Sequence, residues 1–356
     1  MGLFSIFKKD KKQHRGFHGL QVKSIDRLNK NSVKIVFDVP AALAQNFAFS
    51  PGQYITLLID INGKEERRSY SLCNGPSEDL AVAVKEVMNG TVSVFLNRDL
   101  KQGDELQVSE PAGNFTLQAT EKNVVAIAAG SGITPIMSIA KQIQSTGGNM
   151  QLFYGNRTEE DILFKAELDG LQAIKSHYAL SGETKDGFLS GRIDKAQITA
   201  VIKQDLDMLK ADAFFICGPE QMIMEAKETL EFFGVNASKI RFELFTTPVL
   251  MAQESVQVQA DFSGDSKVKV ILDGEVVHFT LNTKGKSLLE SIENAGMDAP
   301  YSCKGGVCCS CKAKVVKGSA KMDLNYALTD QEVAKGYILT CQSHPTSEEL
   351  TISFDE

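Results

Sequence analysis

Five of the chain's seven cysteines fall between Cys303 and Cys341, and no other feature constrains the chain as strongly. A disulfide framework belongs to a short secreted chain with evenly used cysteines, not to one crowded segment of 356 residues. Clustered thiols in a reducing compartment point instead to metal. Cys303, Cys308 and Cys311 stand in C-x4-C-x2-C spacing, and Cys341 stands alone farther on. Four thiolates in this spacing match the plant-type [2Fe–2S] pattern. Gly305 and Gly306 let the loop turn its N–H groups toward the sulfurs, which favours the more negative, reduced state. A structural zinc site is the alternative, but zinc loops carry paired C-x2-4-C knuckles and here one close pair exists. Cys309 lies between two ligands and reads as a bystander, a small buried apolar residue.

Composition narrows the remaining choices. The chain is 43% hydrophobic and 23% charged, as globular proteins are. Its length suits two or three domains. A net charge of -7 removes an electrostatic case for nucleic acid. No stretch reaches the roughly 20 apolar residues of a membrane span. Residues 1–16 read as a solvated tail. The start, Met1-Gly2-Leu3-Phe4-Ser5-Ile6, has Ile where a myristoylation signal needs Ser or Thr. The basic run Phe7 to Lys12 leaves membrane or partner contact to this tail alone. It lacks the apolar core and cleavage site of a secretory signal, so a cytoplasmic protein is expected.

Three textures follow along the chain. Residues 17–118 hold short alternating apolar runs, such as Val33 to Phe37, Tyr54 to Leu58 and Leu80 to Val84. Turn signals at Ser50-Pro51-Gly52 and Asn62-Gly63 separate them, and the pattern suggests an antiparallel barrel or sandwich. Residues 119–245 open with Val124 to Ala129, a continuous apolar run of the kind buried on both faces. A Gly-rich turn and a helical pattern from Pro135 to Gln144 come next, then strand candidates at Met150 to Tyr154 and Ala213 to Cys217. Strands alternating with helices imply a parallel α/β sheet. Residues 246–262 read as a linker. In residues 263–356, Lys267 to Leu272 and Glu275 to Leu281 form a hairpin around Asp273-Gly274, and Ser287 to Asn294 reads as a short helix before the cysteine loop.

Two of these blocks carry phosphate-binding signals. Gly130-Ser131-Gly132-Ile133-Thr134-Pro135 follows a buried strand and opens a helix, so Gly130, Gly132, Thr134 and Pro135 lie where dinucleotide phosphates approach a helix N-terminus. Pro135 is expected as the first helical residue. Asn156 and Arg157, and Cys217 with Gly218, lie at strand ends, where open α/β sheets bind ligands. In the first block stand Arg68-Ser69-Tyr70-Ser71 and Gly90-Thr91-Val92-Ser93. Taken alone, each has a plain reading: a strand with an exposed arginine, or a buried structural thiol in the case of Cys217.

Together these motifs resemble the ferredoxin–NADP reductase superfamily, whose flavin signatures are R-x-Y-S and G-x-x-S. The resemblance implies FAD, with Arg68 on the diphosphate, Tyr70 against the isoalloxazine and Ser71 near the reacting nitrogen. Gly90, Val92 and Ser93, with Lys85, complete that cofactor set. It also sets Cys217 beside the nicotinamide, and Phe245 of Glu243-Leu244-Phe245 over the flavin face. Ser71, Cys217 and Phe245 are thus the expected catalytic residues.

From about Phe17 to Glu356 the chain resembles the reductase subunits of phenylacetyl-CoA epoxidase systems. Besides the motifs above, Asn325-Tyr326 and Gly336 to Gln342 carry the likeness. It implies an antiparallel β-barrel flavin domain, an α/β nucleotide domain and an α+β, β-grasp-like ferredoxin domain. It also implies electron transfer from NADPH, or NADH, through FAD and [2Fe–2S] to an oxygenase partner, a di-iron epoxidase. A reductase of the same build could equally serve a Rieske oxygenase, a desaturase or another di-iron hydroxylase. A rival of another class is a non-enzymatic redox sensor. Arg157 and Lys185 are the cations available for a 2′-phosphate.

Overall fold

The computed structural model describes residue 14 and residues 16–247 and 262–356, so the tail and the linker lie almost wholly outside the described residues. In the first block, β1 (Phe17–Asn29), β2 (Ser32–Asp38), β3 (Tyr54–Ile61), β4 (Lys64–Ser71), β5 (Ala81–Lys85) and β6 (Glu105–Ser109) form one antiparallel sheet, ordered β4-β3-β6-β1-β2-β5. A bridge between Leu72 and Val82 joins its two edges and closes a barrel. Ile35, Phe37, Ile55, Leu57 and Val82 fill its interior. At the β3–β4 turn, Asn62 and Gly63 adopt φ of 58° and 80°, the left-handed pair that a two-residue hairpin requires. β4, sequence Lys-Glu-Glu-Arg-Arg-Ser-Tyr-Ser, contains no aliphatic residue and gives no apolar alternation. α1 (Thr91–Arg98) was not apparent from the sequence. It buries Val92 and Leu96 in the barrel and starts at Gly90 without a side-chain cap.

The second block is a parallel sheet, ordered β10-β9-β8-β7-β11-β12, of β7 (Asn123–Ala129), β8 (Asn149–Asn156), β9 (Ile174–Leu180), β10 (Leu189–Ser190), β11 (Ala213–Cys217) and β12 (Ile240–Glu243). Its helices are α2 (Ile133–Ser145), α3 (Lys165–Gly170), α4 (Lys195–Gln204) and α5 (Glu220–Phe232). The apolar run of β7 serves two cores. Ala126 and Ala128 pack toward α2, and Val125 and Ile127 pack toward α4 and α5. α2 begins at Ile133, so Pro135 is its third residue and not its first. The ring is tolerated there because first-turn N–H groups have no intrahelical acceptor to lose.

The third block pairs β13 (Asp265–Leu272) with β14 (Glu275–Asn282), β15 (Lys312–Lys317), β17 (Tyr337–Leu339) and β19 (Glu349–Ser353) in the order β14-β13-β19-β15-β17. β16 (Ala320–Met322) and β18 (Ser343–Pro345) form a separate pair. The hairpin falls at Asp273-Gly274, with φ of 55° and 74°. α6 (Leu288–Asn294), capped by the Ser287 hydroxyl, lays Leu288, Leu289 and Ile292 on this sheet. α7 (Asp330–Ala334) opens with a capping box between Thr329 and Glu332. Among the described residues no helix is long and apolar enough to cross a membrane.

Candidate functional site

The cysteine loop arranges its thiols two and two. Cys308 Sγ donates to Cys303 Sγ at 3.1 Å, and Cys311 is hydrogen-bonded to Cys341. Cys308, Cys311 and Cys341 are buried, and Cys303 is half-buried. Main-chain N–H groups point at the sulfurs, with Gly305 N–H donating to Cys303 Sγ at 3.3 Å. The Cys308 hydrogen bond, reinforced by the N–H groups of Gly305, Val307 and Cys308, draws the Cys303 thiol down to about 6. The bond from Cys311, with help from Gly306 N–H, lowers Cys341. Donation to a partner and burial raise the other two. The loop gains this curvature at Lys304 and Gly306, with φ of 52° and 75°. Two thiol pairs fit a cluster of two irons better than they fit zinc. Cys309 lies outside both thiol pairs. Its Sγ donates to Ala327 O at 3.3 Å, and burial pushes its thiol up to about 12.

The flavin motif lies on β4 and at its end. Arg68 is exposed and pairs with Glu66 at 3.0 Å, and Tyr70 is half-buried against the barrel core. Burial raises the Tyr70 phenol. Val92 turns its side chain into the core, which leaves only its N–H for a ligand at the start of α1. Ser93 Oγ accepts from Val87 N–H at 3.0 Å and so shapes the Gly90 turn. Lys85 ends β5, half-exposed. An uncapped helix N-terminus with an arginine on the same barrel suits a diphosphate.

At the carboxyl edge of the parallel sheet, Gly130, with φ of 54°, and Gly132 follow β7. A Cβ on Gly132 would strike the carbonyl of Cys217, so only glycine lets the β7 turn lie against the end of β11. Gly218 is less tightly confined, since a Cβ there would come 3.2 Å from Ala129 N and meet the movable end of Met222. Thr134 Oγ1 donates to Ser131 O at 3.0 Å and braces the turn. Asn156, 8% exposed, ends β8. Neither polar atom of its amide completes a hydrogen bond among the described residues. A buried amide at the rim of a strand-end crevice, with the Tyr154 hydroxyl as its polar neighbour, suits a polar ligand. Arg157 is exposed beside it. Its side chain lies over Gly182, where a Cβ would come 2.6 Å from Arg157 Cγ. Lys185 is instead paired with Glu159.

The barrel and the sheet meet where Ser71 Oγ donates to Glu243 Oε2 at 3.3 Å. Glu243 pairs in register with Cys217 across β11 and β12. Burial pushes the Glu243 carboxyl up to about 8, and burial with the nearby Glu243 raises the Cys217 thiol. The fold therefore gathers Ser71 and Cys217 around a third group absent from the expected set. The Glu-x-Phe ending was the available signal, but only its Phe245, which is 44% exposed, was drawn from it. Tyr54 was missed as well. It lies opposite Ser71 in the β3–β4 register, and its hydroxyl meets Ser310 Oγ at 3.1 Å and Cys309 N–H at 3.2 Å. The hairpin of β3 and the flavin-motif strand β4 is thus in direct contact with the cysteine loop.

A barrel bearing flavin signatures, a strand-end nucleotide crevice and a four-thiol loop define a class, and the chain belongs to it: the iron–sulfur flavoprotein reductases of the ferredoxin–NADP reductase superfamily. It is an NAD(P)H-dependent oxidoreductase that uses FAD and a [2Fe–2S] cluster, not a non-enzymatic sensor. The oxidoreductase FAD-binding domain matches residues 19–117, the oxidoreductase NAD-binding domain 126–228, and the 2Fe-2S iron-sulfur cluster binding domain 270–346.

Among individual relatives, a component of the 1,2-phenylacetyl-CoA epoxidase of Escherichia coli (strain K12) is 37% identical over 95% of this chain and 98% of its own. The ferredoxin reductase component of 3-ketosteroid-9-alpha-monooxygenase from Rhodococcus rhodochrous is 32% identical over 94% of this chain and 96% of its own. Phthalate dioxygenase reductase superposes with a TM-score of 0.59 at 25% identity, covering 95% of this chain and 98% of that one.

Proposed function

We propose that this chain takes hydride from NADPH and delivers single electrons to the oxygenase component of a phenylacetyl-CoA epoxidase, a di-iron protein acting in phenylacetate breakdown. The observation that carries the reading is the contact between two sites of different chemistry. The Ser71–Glu243–Cys217 junction and the cysteine loop are built against the same pair of barrel strands. When bound, the flavin accepts an electron pair as hydride and the cluster passes electrons singly. Choice of the epoxidase as partner is supported by identity to the Escherichia coli epoxidase component over nearly the full length of both chains.

The chain's residues divide the remaining work. Arg68, Lys85, Gly90 and the first N–H groups of α1 hold the diphosphate, and Tyr70 holds the flavin ring. Gly130, Gly132, Thr134, Pro135, Asn156 and Gly218 admit the pyridine nucleotide to the strand-end crevice. Ser71 and Cys217 orient the reacting face, and Phe245 excludes water from it. Glu243, half-buried with its carboxyl pushed up to about 8, presents a largely neutral group to the crevice near neutral pH. Arg157 meets the 2′-phosphate of NADPH. Cys303, Cys308, Cys311 and Cys341 hold the cluster.

Reconstitution tests the partner. NADPH oxidation by the holoprotein should couple to loss of phenylacetyl-CoA only when an epoxidase oxygenase is added. A second reading, service to a different oxygenase, is favoured by the 32% identity to the ketosteroid monooxygenase reductase. Equal coupling to an unrelated monooxygenase component, with none to the epoxidase, would replace the first reading with the second.

A further inference from the structure

β3 and β4 form a ribbon whose faces alternate, as strand geometry dictates. Ile55 and Leu57 point into the barrel; their register partners Tyr70 and Arg68 share that side of the ribbon, Tyr70 packed on the core and Arg68 reaching solvent beside Glu66. The opposite face carries Tyr54, Thr56, Arg67, Ser69 and Ser71. An outer barrel face is ordinarily polar because water covers it. Here the ferredoxin domain covers it instead. Residues 298–310 run along the ribbon and supply partners to Arg67, Ser69 and Tyr54, while Thr56 Oγ1 meets Ser69 Oγ and Ser71 turns to Glu243. Arg67 Nη2 meets Asp298 Oδ1 at 2.8 Å, and Nη1 donates to Ala299 O at 3.3 Å. Ser69 Oγ meets Ser302 Oγ at 2.7 Å. Tyr54 joins Ser310 and Cys309 at the far end.

Arg67 is the unusual member. Its side chain is 5% exposed, yet it belongs to no flavin or nucleotide motif. Tyr301 covers it with its ring centroid 4.5 Å from the guanidinium carbon. His14 Nδ1 meets the other Asp298 oxygen at 2.7 Å. Burial would raise the Asp298 carboxyl, but the His14 bond and the Arg67 charge outweigh it and hold it low. A buried ion pair adds little net stability over apolar packing, whereas removing one partner is costly. Such a pair therefore selects one pose more than it glues two surfaces.

We propose that Arg67 and Asp298 are the positioning pair that docks the ferredoxin domain on the β3–β4 ribbon and so sets the gap between flavin and cluster. The flavin motif and the arginine before it thereby serve two domains, with Arg68 and Tyr70 toward the flavin and Arg67 and Ser69 toward the cluster loop. This rests on the relay reading above.

The test uses holoprotein carrying Asp298→Asn, Asp298→Arg, or the exchanged pair Arg67→Asp with Asp298→Arg. Asp298 lies outside the barrel, so these variants separate docking from flavin binding even where an Arg67 variant alone fails to fold. In stopped flow with NADPH, flavin bleaching should keep its rate. Cluster bleaching should slow about ten-fold or more in Asp298→Arg and less in Asp298→Asn, since electron transfer depends steeply on placement. Small-angle scattering should show an expanded particle for Asp298→Arg and partial recovery in the exchanged pair. Unchanged cluster bleaching with an unchanged particle size would overturn the proposal. So would equal slowing of both bleaching steps. Scattering needs no cofactor signal, so absent flavin or iron–sulfur bands would count against the relay reading alone.

Discussion

The cysteine loop and the hydride crevice are built in opposite ways. Three of the four cysteines proposed as cluster ligands, and the glycines Gly305 and Gly306, lie within the nine residues from Cys303 to Cys311. The crevice has no such core. Ser71, Cys217 and Glu243 come from the ends of three strands in two domains, and tertiary structure alone brings them together. A site whose partners are local tolerates change around it but no change of ligand. A site assembled from distant strands depends on close packing far from the chemistry.

The largest expected effect falls on the loop. Cys303→Ser or Cys341→Ser should abolish iron and acid-labile sulfide in the purified protein and leave the flavin spectrum intact. Cluster content near that of the unaltered protein in either variant would break the local account of the site.

The crevice should respond to packing. Gly132→Ala pushes a methyl group into the Cys217 carbonyl, a main-chain atom that cannot rotate away. Such overpacking costs about 1–3 kcal/mol. The melting temperature should fall and nucleotide binding, measured by titration of flavin absorbance, should weaken.

That contrast also explains what could be read from the sequence. The cysteine spacing, the apolar run of β7 and the Asp273-Gly274 hairpin were legible because each is a local pattern. β4 was legible only as the plain reading of its arginine motif, a strand with an exposed arginine, because it is polar on the face the ferredoxin domain covers and carries Arg68 and Tyr70 on the other side, where aliphatic residues would mark a strand. Arg67 resembled any exposed arginine until Asp298, more than two hundred residues away, supplied its partner. Glu243 belonged to a recognisable ending, but nothing local indicated that its carboxyl meets Ser71. α2 starts earlier than its proline suggested, since Pro135 fits the first turn as a whole.

Two smaller effects sharpen the comparison on the crevice side. Burial holds the Glu243 carboxyl at about 8, above its ordinary 4.5. The unfolded chain loses this proton first, so Glu243 makes stability fall as pH rises from about 4.5 to about 8, after which the loss levels off. Glu243→Gln should flatten that part of the melting-temperature profile of the cofactor-stripped protein. An identical slope in the variant would refute the assignment. Arg157→Ala should raise the KM for NADPH about ten-fold or more and leave the KM for NADH nearly unchanged, the loss of one charge-assisted phosphate contact. Equal losses would remove Arg157 from the 2′-phosphate.

The smallest effect belongs to the loop again. Cys309→Ser should leave iron content and the cluster spectrum as they are, because its sulfur meets Ala327 O and lies outside both thiol pairs.

The most direct measurement is an anaerobic titration of the holoprotein with NADPH and then NADH, following the visible spectrum. The expected result is bleaching of the flavin bands together with the cluster's long-wavelength absorbance, with NADPH effective at the lower concentration. Flavin bleaching beside a fully assembled cluster that stays oxidised would contradict a relay through the β3–β4 ribbon.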